Sequence, residues 1–314
     1  DALPIYVKYA IAGPLNYSYN LFKIEPRDAA DIQIDEPLYF TSDPYISLVE
    51  TNAITIDWQT NTEAATHIAY GLTPELETDT LAFYDHTIDH EITIENLLPN
   101  TFYYVKPFSV LENDTTISNT MMAATASTSS GNMKVYFNHT VDTSVAWQNK
   151  AVAIPGGFVD TIINYIDKAQ TTLDITMYDI IDTSENQVIR IMNAINAAYD
   201  RGVTVRYITD DTPENPLLDS LNANIGILAG NTDAIMHDKF MIVDAQSIEN
   251  SWVLTGSTNH TIANLYNDYN NIICIQDHQL AQAYLLEFNE MWGGDTDIPN
   301  AAQAKFGADK TDNT

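Results

Sequence analysis

The side chains best suited to chemistry lie in one short part of the 314-residue chain. His237 and Lys239 are two residues apart, and Ser257 and Asn259 are two apart after the next apolar run. On a strand, residues two apart project from the same face with a spacing of about 6.6 Å. An imidazole attacks phosphorus or transfers a proton near neutral pH, while an ammonium neutralises charge on phosphoryl oxygens. The pairing therefore suits the cleavage of a phosphodiester.

Three further residues complete this constellation. Ser257 and Asn259 offer neutral hydrogen-bond donors to the same phosphoryl oxygens. Asp244 is seven residues from His237, about 23 Å along an extended strand and on the opposite face, so we expect a structural role for its carboxylate. No compact carboxylate or His/Cys cluster surrounds the motif in the sequence. We therefore predict that the chemistry needs neither a metal nor another cofactor.

The two segments together resemble the signature of the phospholipase D superfamily. Residues 236–244 are MHDKFMIVD and residues 256–259 are GSTN, which match H-x-K-x4-D followed by G-S-x-N. The resemblance covers residues 134–295 and implies a phosphodiesterase in which His237 forms a covalent phosphohistidine. It favours nuclease-like hydrolysis, because small single-motif members are the most similar. The alternatives are a phospholipase D acting on phospholipid headgroups and a catalytically silent adhesion or scaffold protein.

The same resemblance implies a second copy of the motif, whose histidine protonates the leaving oxygen. This sequence contains one copy. Two arrangements remain open: a homodimer with two copies facing each other across a two-fold axis, or a longer precursor with a second motif beyond this sequence. Residues 304–307 and 310–314 resemble the connector that leads into the second half of two-motif relatives, which keeps the precursor as an alternative.

One position departs from the superfamily pattern. Members place a glutamate after G-S-x-N, on a strand expected here to begin near Asn267, where it hydrogen-bonds the far nitrogen of the nucleophilic histidine. The matching residue is Asn270. Asp268 projects from the same predicted strand face and is the expected substitute, since a carboxylate on that nitrogen fixes the tautomer. If neither residue orients His237, the silent scaffold becomes the favoured alternative.

The elements that must position these residues alternate between strands and helices. The periodicity predicts strands at 134–138, 173–178, 204–208 and 271–276, helices at 158–169, 186–201 and 278–292, and a helical turn at 217–221. This alternation predicts an α/β layered domain over residues 134–295. The single cysteine, Cys274, lies in the last apolar strand and is expected to be buried.

The amino-terminal half has a different pattern. Residues 45–126 show short alternating strands separated by turns, including 53–58 and 91–95. Trp58, Tyr70-Gly71, His90 and residues 97–104 resemble a fibronectin type III domain of the kind that precedes purple acid phosphatases. We therefore predict a multidomain chain: an unassigned extension (1–38), an all-β fibronectin-like sandwich (39–126), a linker (127–133), the phospholipase D-like domain, and a tail or connector (296–314).

The sequence predicts structural roles for most of the remaining histidines. His86 and His90 lie about 13 Å apart on an extended strand, too far to share one ion. We expect His139 and His278 to be hydrogen-bonded core residues. His260 has two interpretations, a core residue or one that lines the mouth of the pocket.

Charge and hydropathy limit the partners. The chain has 43 Asp and Glu against 13 Lys and Arg, a formal net charge of -30, and residues 134–295 hold 21 acidic and seven basic residues. This surface repels both DNA and anionic lipid, so substrate attraction must come from the pocket. No apolar run approaches the roughly 18 residues of a membrane-spanning helix. The start at Asp1 without an initiator methionine suggests a processed form, and we expect a secreted or cell-surface protein.

Overall fold

A computed structural model describes residues 8–18, 21–27, 31–129, 131–147, 150–181, 186–211, 215–230 and 235–307. The chain divides into two compact units, one within Asp1–Ala126 and the other within Ser127–Asp312. The connector predicted at residues 310–314 and parts of the predicted extension 1–38 lie outside the described residues. Across the described part of the chain, no helix is long and apolar enough to cross a membrane.

The first unit consists of antiparallel strands. Its described strands are β1 (Lys8–Ile11), β2 (Leu15–Ser18), β3 (Leu21–Ile24), β4 (Ile32–Asp35), β5 (Phe40–Val49), β6 (Ala53–Gly71), β7 (Asp79–Glu95), β8 (Phe102–Leu111), β9 (Asp114–Ile117) and β10 (Met121–Ala124). β1 pairs with β4 and β2 with β3. The other six form one sheet in the order β10-β8-β6-β5, with β7 beside β6 and β9 beside β8.

Strand β6 organises this six-stranded sheet. Its first half, residues 53–59, pairs with β5 and β7, and its second half, residues 64–71, pairs with β7 and β8. The register shifts between the two halves, which lets one long strand serve both ends of the sheet. Alternate apolar residues such as Ile54, Ile56 and Trp58 are fully buried, as the period of a half-buried strand predicts.

His90 belongs to the core of this first unit. Its ring stacks on Trp58 with centroids 5.1 Å apart, and its nitrogens bond the hydroxyls of Thr60 at 2.9 Å and Thr66 at 2.7 Å. Burial lowers the pKa of His90 to about 4. His86 is exposed. The structural interpretation of His90 is therefore confirmed.

The second unit is built on a mixed eight-stranded sheet in the order β12-β11-β20-β18-β17-β13-β15-β16. These strands are β11 (Asn132–Phe137), β12 (Val152–Ala153), β13 (Thr172–Met177), β15 (Thr204–Asp210), β16 (Gly226–Gly230), β17 (Lys239–Val243), β18 (Trp252–Gly256) and β20 (Asn271–Gln276). A separate parallel pair joins β14 (Ile180–Ile181) to β19 (His260–Thr261).

Helices cover both faces of this sheet. The helices are α1 (Phe158–Ile166), α2 (Val188–Asp200) and α3 (His278–Trp292), with shorter helical turns at Pro216–Ser220 and Ala263–Asn267. In β17, Met241 and Val243 pack in the core formed with α1 and α2, while Phe240 and Ile242 pack in the core formed with α3. Because side chains alternate along a strand, these two cores must lie on opposite faces.

The segments that flank the predicted domain belong to the same unit. Ser129 accepts a hydrogen bond from the backbone N–H of His278 at 3.1 Å, so the residues predicted as a linker contact the start of α3. In the predicted tail, Phe306 packs in the α3 core, and Trp292 donates its indole N–H to the carbonyl of Thr296 at 2.8 Å. Residues 296–307 are therefore part of the fold, because they cover the large aromatic residues at the end of α3.

Several strands end at the same edge of the sheet. The pairs Met177–Lys239, Phe240–Thr255, Gly256–Ile272 and Phe137–Asn271 show that β13, β18 and β11 end where β17 and β20 begin. The loops next to these strand ends carry the predicted catalytic residues. We call this the motif edge, formed by the strand ends at Phe137, Met177, Lys239, Gly256 and Asn271 and the loop residues next to them.

Candidate active site

The motif edge places His237 and Lys239 on different local structures. β17 begins at Lys239, so His237 lies in the loop before the strand. The prediction that both residues share one strand is therefore wrong for His237. The neighbouring strands β13 and β18 end level with Lys239, and the buried N–H of Met236 donates to the carboxylate of Asp210 instead of to a strand.

Tyr178 brings the two motif residues together. The His237 ring meets the Tyr178 ring edge to face, with centroids 4.7 Å apart, and the Lys239 ammonium lies 5.3 Å from the same ring centroid. The ammonium also donates to the backbone carbonyl of His237 at 2.9 Å. His237 itself is exposed. An accessible imidazole and an ammonium thus both contact the ring of Tyr178. The sequence did not predict that Tyr178 belongs to the site.

Burial shifts the pKa values of two ionisable groups at this site. Partial burial lowers the pKa of Lys239, against the opposing effect of the Asp238 and Asp179 carboxylates. Burial also raises the pKa of Asp179, against its backbone hydrogen bond from Ile180 and the nearby Lys239. Asp179 is the second residue that sequence reasoning missed. Its signal in the sequence was its place after the predicted strand 173–178, and in the structure β13 ends at Met177 opposite Lys239.

Ser257 and Asn259 follow β18 at the same edge. The Ser257 hydroxyl donates to Oδ1 of Asn270 at 2.7 Å, and the N–H of Asn259 donates to Oδ1 of Asn264 at 3.0 Å. Oδ1 of Asn259 is buried and has no hydrogen-bond partner among the described residues. The sheet thus brings both predicted donors to the edge that carries Lys239, where Ser257 is exposed.

Gly256 is required by this turn. Its φ of +149° lies outside the range of ordinary side chains, and a Cβ there would lie 2.3 Å from the carbonyl oxygen of Asn271. The Ser257 N–H donates to that same carbonyl at 3.3 Å. The glycine of the G-S-x-N pattern therefore lets β18 approach β20 closely enough to place Ser257.

Asn270 and Asp268 have partners other than His237. Asn270 accepts from Ser257 and donates to the carbonyl of Asn264 at 2.9 Å. Asp268 is exposed and accepts from the Asn264 amide at 2.7 Å. Among the described residues, none forms a hydrogen bond with the His237 ring. The expectation that Asp268 or Asn270 orients this ring is wrong, because a helical turn at Ala263–Asn267 precedes β20 and turns both residues toward Asn264.

Asp244 lies at the opposite end of β17 and is 1% exposed. Its carboxylate accepts hydrogen bonds from the backbone N–H groups of Gln170, Thr171 and Thr172 and from the Thr171 hydroxyl, at 2.7 to 3.1 Å. These bonds tie the end of β17 to the turn before β13. The predicted structural role of Asp244 agrees with this position.

The other histidines of the unit are not accessible in the same way. His260 is 5% exposed and lines a cavity of about 40 Å³ together with Lys239 and Thr258. Its low exposure places His260 behind the site and not at its mouth, and burial lowers the pKa of its ring to about 4. His139 was predicted as a hydrogen-bonded core residue, but its ring stacks beneath the exposed ring of Tyr269, and its Nε2 has no partner among the described residues.

A protein-family model matches part of the unit that carries these residues. Residues 162–292 match the model described as "Cardiolipin synthase, PLD-like domain". This segment is therefore similar to phospholipase D-like domains. The matched range contains all of the predicted site residues, from His237 to Asn270, and the supporting residues Tyr178 and Asp179. The fibronectin-like assignment of residues 39–126 stays a prediction.

Curated relatives are similar over the same region. A protein named phospholipase D from Rickettsia conorii is 31% identical over 135 residues, which is 42% of this chain and 62% of the relative. A mitochondrial cardiolipin hydrolase from Xenopus tropicalis is 30% identical over 109 residues, 32% of this chain and 48% of that protein. The chain thus spans less than two thirds of the length of these relatives.

A solved structure also aligns with the chain. Nuc from Salmonella typhimurium, described as a phospholipase D family member, is 22% identical and covers 56% of this chain and 97% of its own, with a TM-score of 0.40.

Proposed function

We propose that the motif edge hydrolyses phosphodiesters through a phosphohistidine at His237. One observation carries this proposal: an exposed imidazole lies beside a lysine ammonium on the ring of Tyr178, within a segment similar to phospholipase D-like domains. The imidazole is available as a nucleophile because no hydrogen bond to the described residues occupies its ring nitrogens. Lys239 has donors beyond its bond to the His237 carbonyl, and these can meet phosphoryl oxygens.

The proposed reaction has two displacements at phosphorus. In the first, a ring nitrogen of His237 forms a bond to phosphorus as the bond to the leaving oxygen breaks, and an acid protonates that oxygen. In the second, water attacks phosphorus, the same acid now takes the water proton as a base, and the bond to His237 breaks. Lys239 and the side-chain amide of Asn259 donate hydrogen bonds to the nonbridging oxygens in both steps, and the Ser257 hydroxyl does so once its bond to Asn270 opens.

The proton donor for the leaving oxygen is a second imidazole. Within the described residues of the second unit, His139, His260 and His278 are buried or half-buried, and His237 is the exposed histidine. This supports a site completed by another motif, either His237 of a second copy across a two-fold axis or a second half in a longer chain. A fully active monomer of 35.0 kDa in sedimentation would contradict the two-motif site.

Nucleic acid is the favoured substrate, and phospholipid headgroups are the alternative. Both fit a site that recognises a phosphodiester, and the names of the two curated relatives refer to lipid substrates. Cleavage of a single-stranded oligonucleotide, a plasmid and phosphatidylcholine vesicles, each in excess EDTA, separates them. We expect EDTA-resistant cleavage of the oligonucleotide, because the described residues contain no group of three metal-ligating side chains. Loss of activity in EDTA with stoichiometric rescue by zinc or manganese would contradict the proposal.

A catalytically silent scaffold is the third candidate, and the position of Asn270 favours it. If the His237 ring needs an orienting carboxylate from its own chain, the native protein will cleave none of the three substrates, nor the activated diester bis(4-nitrophenyl) phosphate. Hydrolysis of the activated diester that is lost in His237→Asn would exclude this candidate.

A further inference from the structure

We propose that Tyr269 is a stacking platform for an unpaired nucleobase, so that the substrate of the site is a single-stranded nucleic acid. This inference rests on the proposed function and names its substrate class. Tyr269 is 83% exposed, among the most exposed large side chains of the second unit. Its ring stacks on the ring of His139 with centroids 4.3 Å apart and planes 27° apart. One face of the tyrosine is therefore supported, while the other faces solvent.

The backbone of Tyr269 is fixed on both sides by one buried residue. Asn138, which is 2% exposed, donates from its side-chain amide to the carbonyl of Asp268 at 2.6 Å and accepts from the N–H of Asn270 at 2.9 Å. Asn138 directly precedes His139, so one short segment holds the loop and supplies the ring beneath Tyr269. An aromatic side chain held in this way loses little conformational entropy when a second ring stacks on it.

The platform lies at the motif edge. β20 is separated from β17 by the single strand β18, so Ile272 of β20 and Lys239 of β17 lie about 10 Å apart at the usual strand spacing. Tyr269 lies three residues before Ile272, in the loop that leads into β20 at this edge. The neighbour of Tyr269, Asn270, accepts the hydrogen bond of the Ser257 hydroxyl at 2.7 Å. A chain whose phosphate meets Lys239 and Ser257 therefore passes Tyr269 with its adjacent nucleotides.

The chemistry of the platform favours a nucleobase over a choline headgroup. Recognition of a quaternary ammonium uses a cage of several aromatic faces, whereas a flat base stacks on a single exposed ring. Stacking also provides attraction that does not depend on charge, which suits a domain with 21 acidic and seven basic residues in 134–295. Bases in a duplex are already stacked, so the platform selects single strands.

The test measures binding without cleavage. In a His237→Asn background, fluorescence anisotropy gives the affinity for an oligothymidylate of about ten nucleotides and for an abasic oligomer of equal length. We expect Tyr269→Ala to weaken binding of oligothymidylate about tenfold and to leave binding of the abasic oligomer unchanged. Tyr269→Trp should retain the affinity of the tyrosine protein. The control is Tyr84→Ala, which removes a tyrosine of the first unit that is 77% exposed.

Two outcomes would overturn the platform. One is that Tyr269→Ala changes the affinity for both oligomers equally, or changes neither affinity. Stacking requires a base, so an effect shared by the abasic oligomer is not stacking. The other is weaker binding of phosphatidylcholine vesicles with unchanged binding of oligothymidylate, which would assign the ring to a choline headgroup. Hydrolysis of bis(4-nitrophenyl) phosphate by the native protein tests the proposed function separately. If that hydrolysis is absent while the difference between the two oligomers persists, the platform stands and the hydrolytic function fails.

Discussion

The two ends of the segment His237–Asp244 use their polar groups in opposite ways. At the amino end, His237 is exposed and its ring has no hydrogen-bond partner among the described residues, while Lys239 bonds one backbone carbonyl. At the carboxyl end, Asp244 is 1% exposed and accepts hydrogen bonds from three successive backbone N–H groups and a hydroxyl. Seven residues separate the two environments.

This difference shows how one sequence motif serves two purposes. A carboxylate whose oxygens are satisfied by backbone donors stabilises a turn and has no capacity left for substrate. A polar group left beside solvent adds little to stability but remains available to a ligand. We infer that the amino end of the segment does chemistry and that the carboxyl end fixes β17 against β13. Substitutions at either end, or in its surroundings, should therefore separate effects on activity from effects on stability.

The largest effect is expected at the nucleophile. His237→Asn should lower turnover of a phosphodiester by at least about 10³-fold, because no other group replaces the covalent step. The melting temperature should stay unchanged, since the ring is exposed. His86→Asn is the matched control, because it removes an exposed histidine of the first unit. A large loss of stability in His237→Asn would show that this residue also stabilises the fold, and would contradict the inferred difference between the two ends of the segment.

Removal of the ammonium should have the next largest effect. Lys239→Ala should lower kcat about 10²- to 10³-fold, as loss of one charge-stabilising donor does in comparable sites. Stability should change little, because the side chain is half-buried and its burial already disfavours the charge. Lys134→Ala removes an exposed lysine of β11 in the same sheet and serves as the control. Equal losses of kcat in Lys239→Ala and Lys134→Ala would show that Lys239 contributes only through the net charge of the domain.

The carboxyl end should respond in stability. Asp244→Ala leaves three backbone N–H groups without their acceptor and should lower the free energy of unfolding by about 3 kcal/mol. Urea unfolding measures this change, and Asp219→Ala, at an exposed aspartate of the same unit, should shift the midpoint little. A stable Asp244→Ala protein with abolished turnover would place Asp244 in the chemistry and contradict the comparison.

A smaller effect, dependent on pH, is expected behind the site at His260. Its pKa is lowered from 6.5 to about 4 in the folded protein, so the unfolded state binds more protons between these values. Stability contributed by the neutral ring is present above pH 6.5 and is lost as the pH falls toward 4. At pH 5 the loss is about 2 kcal/mol. Urea midpoints at pH 7 and pH 5 should therefore differ less in His260→Gln than in the native protein.

Local signals made some elements predictable from the sequence. Helix α3 has the predicted bounds, because Asp277 caps its first turn by accepting from the N–H of Leu280 at 2.8 Å, and Gly293 ends it with a φ of +82°. Cys274 is fully buried in an apolar strand, as predicted. Both outcomes depend on residues that are neighbours in the chain.

Tertiary contacts decided the features that the sequence left open. β17 begins after His237 because its partners β13 and β18 end there, and Met236 bonds Asp210, 26 positions away in the chain, instead of a strand. Asn270 turns to Ser257 and Asn264 because a helical turn precedes β20. Tyr178 reaches the site through the pairing of β13 with β17. None of these contacts leaves a periodic pattern in the sequence.

The most direct test of the account is to detect the covalent intermediate. The protein is mixed with excess bis(4-nitrophenyl) phosphate, denatured within the first turnover at alkaline pH, where a phosphohistidine survives, and digested for mass spectrometry. The account predicts a 4-nitrophenyl phosphate adduct on His237 and on no other residue, and no adduct in the His237→Asn protein. Steady turnover without any adduct, or an adduct on another residue, would contradict His237 as the nucleophile.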